Sequence, residues 1–166
     1  MSRPHAEAAF PISIRPAVLP DCQGILDCLC SAFAPYKSSY TPGAYADTVL
    51  DLESLQARLR EMSVLAAVTP SGSDVVGTIS FSVLGEFEGH LRGMAVRPEW
   101  QGHGIARMLL ESAETGLRAR NCGRVTLDTT PPLLAAISFY ERNGYAATGR
   151  ERDFFGMPLL EYAKRL

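Results

Sequence analysis

The segment Gln101-Gly102-His103-Gly104 opens a run of helical periodicity, and its residue types suit the capture of an anion. A helix N-terminus leaves backbone N–H groups unpaired and carries a partial positive charge. Glycines at 102 and 104 remove side chains that would hold an anion at a distance, so Gly102 and Gly104 fit a pyrophosphate cradle at the start of the helix. A plain strand-to-helix connection, in which glycine only relieves strain, accounts for the same residues. Two other phosphate motifs are not met. A P-loop needs Gly-Lys-Ser/Thr at the helix start, and there is no lysine here. A dinucleotide fingerprint needs a small residue where Arg107 stands, and needs its glycines directly after the strand, whereas RPEWQ intervenes. Asp128, at the end of the following strand, imitates the acidic residue of that fingerprint, which keeps nucleotide binding as an alternative.

A cradle of this kind needs a strand before it and an amphipathic helix after it. HLRGMAV supplies the strand, and Ile105, Ala106, Leu109, Leu110, Ala113 and Leu117 share one face of the helix, opposite Arg107, Glu111, Glu114 and Arg118. Upstream, SIRPA reads as a first strand, and Asp21 as the N-cap of a helix carrying Ile25, Leu26, Leu29 and Phe33. Ala34–Tyr45 reads as loop. A second helix presents Leu52, Leu55, Leu59 and Met62, VLAAVT is a strand, and PSGSD a hairpin turn. In TISFSV, Ile79, Phe81 and Val83 alternate with Thr78, Ser80 and Ser82. RVTLDTT is a strand, PPLLAAISFYERNG a helix closed by Asn143-Gly144, and two last strands flank FFGMP. The expected order is β-α-α-β-β-β-α-β-α-β-β: a mixed, mostly antiparallel sheet of about seven strands with about four helices.

The 166 residues suit one domain over 11–166 behind a flexible tail at 1–10. A net charge of -2 gives no electrostatic case for nucleic acid. No apolar run approaches a membrane span, and MSRPHAEAAF lacks the apolar core of a signal peptide, so the expected location is cytoplasmic. Cys22, Cys28, Cys30 and Cys122 lack zinc-ligand spacing and read as thiols in a reducing compartment, with no metal expected.

MAVRPEWQGHGIARMLLESAE resembles the acetyl-CoA signature of the GNAT family, the Gcn5-related N-acetyltransferases. Gln101, Gly104 and Ala106 meet its Gln/Arg-x-x-Gly-x-Gly/Ala core, and Val96 and Pro98 its upstream Val-x-Pro. AISFYERNGY supplies a second landmark through Ala136, Tyr140, Gly144 and Tyr145. The element order resembles the family along nearly the whole chain. One departure is Leu133, where the family often has an asparagine that contacts the cofactor.

The resemblance implies a GNAT fold and direct attack of an amine on the thioester of acetyl-CoA. The backbone of residues 102–106, continuing to Arg107, would hold the pyrophosphate, with Gln101 supporting the loop. The edge Met94-Ala95-Val96 would pair with the pantetheine arm and polarise the thioester carbonyl. Tyr140 would be the general acid for the leaving thiolate, a phenol's pKa being close enough to a thiol's; a core aromatic beside Phe139 is the alternative. A glutamate often lies six residues before the Val of Val-x-Pro, and here that position is His90, a suitable base, with Glu86 and Glu88 as competitors. Trp100 reads as packing for the turn. Tyr36, Tyr40 and Tyr45 are placed either to line an acceptor pocket or to pack their loop. The partners implied are an amine acceptor, small molecule or protein, and a homodimer is compatible with the resemblance. A catalytically silent acyl-CoA-binding or regulatory module on the same fold is the main alternative.

Overall fold

The computed structural model describes residues 11–166, so the expected tail lies outside the described residues. The strands are β1 (Ser13–Pro16), β2 (Ser63–Val68), β3 (Val75–Leu84), β4 (Glu88–Val96), β5 (Arg124–Thr129), β6 (Ala146–Phe154) and β7 (Met157–Arg165). The helices are α1 (Cys22–Phe33), α2 (Pro42–Val49), α3 (Leu52–Glu61), α4 (Ile105–Arg118) and α5 (Leu134–Arg142). One seven-stranded sheet runs β1-β2-β3-β4-β5-β7-β6, with β4 and β5 the parallel pair and the other neighbours antiparallel.

The helix count is one higher than expected because α2 forms inside the tyrosine-rich segment read as loop. Thr41 caps it, its hydroxyl accepting from the Ala44 N–H at 3.3 Å, and Pro42 stands in the first turn where a missing N–H is harmless. Asp21 precedes α1 as expected but does not cap it. Its carboxylate accepts the Val18 N–H at 2.8 Å and pairs with Arg15 at 2.7 Å, stabilising the short 3-10 turn instead.

α4 shows why its apolar face was so regular: Ile105, Leu109, Leu110, Ala113 and Leu117 are all buried against Ile79, Phe81, Leu91 and Val125. The opposite face of the sheet is covered by α1, whose Ile25, Cys28 and Leu29 pack on Val64, Ala66, Val68 and Ala95. Two-sided cover corrects the simple reading of TISFSV: Thr78 and Ser80 are buried too, while Val83 emerges at the strand end. Leu52, expected on the buried face of its helix, is 50% exposed in the first turn of α3, whereas Leu55 is buried. Cys22, Cys28 and Cys122 are buried free thiols and Cys30 an exposed one.

Two irregularities of β4 shape the centre of the molecule. Opposite β3, Thr78 faces Ala95 and Ser80 faces Arg92, so β4 carries one extra residue at a bulge. Gly93, with φ +64, provides the left-handed conformation that the bulge requires. On the other side, β4 pairs with β5 only from Glu88–Leu91 against Arg124–Leu127. Beyond that point β4 runs on to Val96 with no β5 partner, and β5 continues beside β7 to Thr129. The sheet therefore splits at its middle.

Candidate active site

A cavity of about 930 Å³ fills the split. Met94, Ala95, Val96, Gln101, Gly102 and Ala106 line one end; His90, Glu88, Thr126, Asp128, Thr129 and Arg152 line the other; Phe139 and Tyr140 form part of the wall.

At the first end the chain leaves β4 through a 3-10 turn, Pro98–Trp100, and enters α4 at Ile105. Gly102 and Gly104 have φ +80 and +78, and a Cβ at either would meet nothing within 4 Å. The glycines are thus needed for conformation and leave open space in front of the helix mouth, where N–H groups of the first turn lack helical partners. The Gln101 side chain donates to the Val96 carbonyl at 3.0 Å and ties the loop to the end of β4. Trp100 packs on the core and its ring meets His103 edge-on at 6.4 Å. The Arg107 side chain points along the helix to Glu111, at 2.8 Å, leaving its backbone as its contribution to the mouth. The open glycine mouth and the unpaired strand edge together suit an extended ligand with an anionic group before α4 and an amide-bearing arm along β4.

Tyr140 stands on the inward side of α5, 9% exposed, with Phe139 and Tyr145 rings edge-on at 5.5 and 5.7 Å. Burial raises its pKa well above that of a free phenol, so it keeps its proton at neutral pH. Tyr145 is fixed from behind: its hydroxyl donates to Glu114 at 2.8 Å, and Lys164 donates to the same carboxylate at 2.9 Å. That buried network ties the end of α5 to α4 and β7. Leu133, at the head of α5, lines the cavity but also packs with Tyr40, Ala44 and Met157.

At the second end, strand alternation sends His90 and Arg92 of β4 and Thr126 and Asp128 of β5 to one face. His90 Nδ1 lies 2.9 Å from Thr126 Oγ1, and that hydroxyl donates to the Gly89 carbonyl at 3.4 Å. Either imidazole tautomer can make the Nδ1–Thr126 contact, and Nε2 lies 3.6 Å from Asp128 Oδ2. Burial lowers the His90 pKa below the ordinary imidazole value; Asp128 opposes this, and Arg152 and Arg92 reinforce it. Asp128 Oδ2 also accepts from Arg152 at 2.5 Å. Its Oδ1 and the Thr129 hydroxyl are buried polar atoms with no partner among the described residues, and both residues line the cavity. Buried polar atoms of this kind need a water or a polar ligand to satisfy them.

Of the other candidates, Glu88 lines the cavity but is paired with Arg124, and Glu86 is exposed on the β3–β4 turn. Tyr36 and Tyr40 line the cavity, Tyr40 with its hydroxyl 2.6 Å from Thr130 Oγ1. Tyr45 packs beside them against Tyr40 and Ala44. Asp128 entered the sequence reading only as a mimic of a ribose ligand; its place beside His90 depends on β4 and β5 being parallel neighbours. Arg152, from the last hairpin, carried no sequence signal. Among the described residues, no group of three or more His, Cys, Asp or Glu side chains is arranged to hold a metal, and no helix is long and apolar enough to cross a membrane.

Comparison with known proteins agrees with this fold. The sequence profile of the acetyltransferase (GNAT) family matches residues 29–145, and the chain belongs to that family. A curated acetyltransferase of Sodalis glossinidius is 36% identical over 77 residues, which cover 44% of this chain and 54% of that protein. The PaiA N-acetyltransferase of Thermoplasma acidophilum, solved in complex with coenzyme A, superposes with a TM-score of 0.79 at 18% identity, covering 93% of this chain and 99% of that one. The ribosomal-protein-alanine N-acetyltransferase of Brucella melitensis superposes with a TM-score of 0.70 at 25% identity, covering 93% and 99%. Both superpositions extend over nearly the whole described chain, so the fold is shared.

Proposed function

We propose that the protein transfers the acetyl group of acetyl-CoA to an amine acceptor, by direct attack with both substrates bound. The observation that carries this is the split in the sheet, with an open left-handed glycine mouth at one end and a neutral histidine beside an unpartnered carboxylate oxygen at the other. Family membership and the coenzyme A complex of a structural relative support the cofactor.

Acetyl-CoA supplies an activated acyl group as a thioester. The residues Gly102–Ala106 hold its pyrophosphate with backbone N–H groups, and the Met94–Val96 edge aligns its arm and places an N–H near the carbonyl oxygen where negative charge develops. Asp128 Oδ1 accepts a hydrogen bond from the incoming ammonium. His90 Nε2 takes the proton that the amine must lose before it can attack, and the depressed His90 pKa keeps that lone pair available into mildly acidic solution. Tyr140 keeps its proton until the leaving sulfur needs it. Glu88 is held by Arg124 and is the competitor for the base role.

Release of free thiol from acetyl-CoA in the presence of a panel of amines tests this reading. His90→Gln should remove or displace the acidic limb of the pH–rate profile, while Glu86→Gln and Glu88→Gln leave it in place; acceptors of different pKa separate an enzyme limb from a substrate limb. A limb that follows Glu88 transfers the base to that residue. Tight acetyl-CoA binding with no thiol release from any amine would assign a silent acyl-CoA-binding module instead.

A further inference from the structure

Arg58 is a cavity residue to which the acetyl-transfer reading gives no task. Arg58, in the second half of α3, is 7% exposed and lines the cavity. Among the described residues its guanidinium makes no hydrogen bond and no ion pair; the neighbouring carboxylate, Asp47, is taken by Arg92 at 2.8 Å. The guanidinium lies over the β4 bulge. A Cβ at Gly93 would collide with Arg58 Nη1, and Ser80 Oγ is 4.0 Å from the same point. The missing side chain of Gly93 thus makes room for the cation. Burial, with Arg92 nearby, brings the Arg58 pKa down to about 10, and the group is still charged at neutral pH.

A desolvated cation without a partner is unfavourable, and a buried arginine that serves only the fold normally finds carboxylates or carbonyls in its own chain. This one faces the cavity instead. Its planar fork of N–H donors matches a carboxylate, which it can hold by two parallel charge-assisted hydrogen bonds. Asp128 Oδ1, on the same polar face, is an acceptor without a donor. Gly93 is three residues beyond His90 on β4, roughly 10 Å of strand. One small molecule with a cationic and an anionic end can reach both.

We propose that Arg58 binds the carboxylate of the acceptor, and that the acceptors are small amines that also carry a carboxylate, amino acids and their like. The inference rests on the acetyl-transfer reading. In it the ammonium lies at Asp128 and His90, and the carboxylate lies over the bulge at Arg58. Because Arg58 is recessed, a small acceptor that enters the cavity fits better than the end of a folded protein.

The test begins with calorimetry of acetyl-CoA binding. Thiol release is then measured with glycine, glutamate, β-alanine and 4-aminobutyrate, each against its carboxamide, and with ethanolamine and simple diamines. At least one amino acid should exceed its carboxamide tenfold or more in kcat/KM. In Arg58→Met that ratio should fall toward one while acetyl-CoA affinity is kept. The variant should melt no lower than the wild type, since methionine fills the space and removes an unpaired buried charge. If Arg58→Met does melt lower, Arg58→Lys carries the test: KM for the favoured amino acid should rise several-fold, with kcat retained, because the bidentate fork is lost. Equal use of acids and amides, turnover confined to amines without a carboxylate, or a preference that survives in both variants would overturn the assignment of Arg58 and leave acetyl transfer standing. Absence of acetyl-CoA binding, or thiol release by no amine at all, would overturn the acetyl-transfer reading and this inference with it.

Discussion

The two ends of the cavity are made of different material. The end at α4 is backbone: left-handed glycines, the first turn of a helix and an unpaired strand edge. The end at His90 is side chain: a histidine, an aspartate and arginines brought from α3, β4, β5 and β6. A backbone site tolerates change around it provided the conformation is kept, whereas a side-chain site is altered by one substitution. The first suits a ligand that a whole family shares, and the second suits an acceptor that differs from member to member. Tyr140 stands between them, on the wall where the two substrates would meet.

The largest effect is expected at that meeting point. Tyr140→Phe keeps the ring against Phe139 and Tyr145 and removes only the hydroxyl. Loss of a general acid costs about 10²–10⁴ in rate, so kcat should fall by that order while calorimetry finds acetyl-CoA affinity unchanged. Undiminished kcat in an assay limited by chemistry would make Tyr140 a packing residue and leave the cavity with two ends and no centre.

The cofactor end should break next. At Gly104, φ is +78; a β-branched residue there is strained by roughly 1–3 kcal/mol, and its side chain enters the open space before α4. Gly104→Val should weaken acetyl-CoA binding by about one to two decades, and the secondary structure seen by circular dichroism should be retained. Wild-type affinity in the folded variant would mean that the pyrophosphate lies elsewhere.

The acceptor end should respond in the opposite sense. Asp128→Asn replaces the unpartnered oxygen by a group that need not be an acceptor, and weakens the hold of Arg152. A hydrogen bond to a charged group is worth about 1.5–3 kcal/mol. KM for the amine should rise roughly tenfold while acetyl-CoA affinity stays within a factor of two. A loss of acetyl-CoA affinity equal to the loss in KM would show that the two ends are not separable.

The same contrast explains what could be read from sequence. The glycine mouth was legible because backbone conformation leaves a local trace: glycines two apart, a proline turn before them and an amphipathic stripe after. The helix α5, Leu134–Arg142, was legible for the same reason. The polar end had no such trace. His90 was reached only through a family offset, and its partners Thr126 and Asp128 meet it through the parallel pairing of β4 with β5. Arg58 lies in a helix read only for its leucines, and its importance depends on a bulge that a single glycine in HLRGMAV does not announce. The helix α2 was missed because proline, glycine and tyrosines obscure an eight-residue element, although Thr41-Pro42 is a good helix start once it is sought.

The smallest expected effect concerns stability rather than rate, and it tests whether His90 is neutral in the folded protein. Burial lowers its pKa; Asp128 and Glu161 oppose that shift, and Arg152 and Arg92 add to it. The unfolded chain returns the imidazole to about 6.5. Between the lowered folded value and that unfolded value, the unfolded state holds more proton than the folded one. Stability must therefore fall as pH drops below about 6.5, with a slope of at most about 1.4 kcal/mol per pH unit from this one group. Above that pH, His90 is neutral in both states and contributes no slope. His90→Gln has no such proton, so its thermal midpoint should decline less steeply than the wild type's between pH 6.5 and 5, with the two curves parallel above pH 7. Carboxylates contribute at lower pH in both proteins and cancel in the difference. A wild-type midpoint that rises relative to His90→Gln on acidification would mean that Asp128 holds the imidazole charged. The resting state would then be an ion pair, and His90 would have to lose a proton before it could accept one from the acceptor amine.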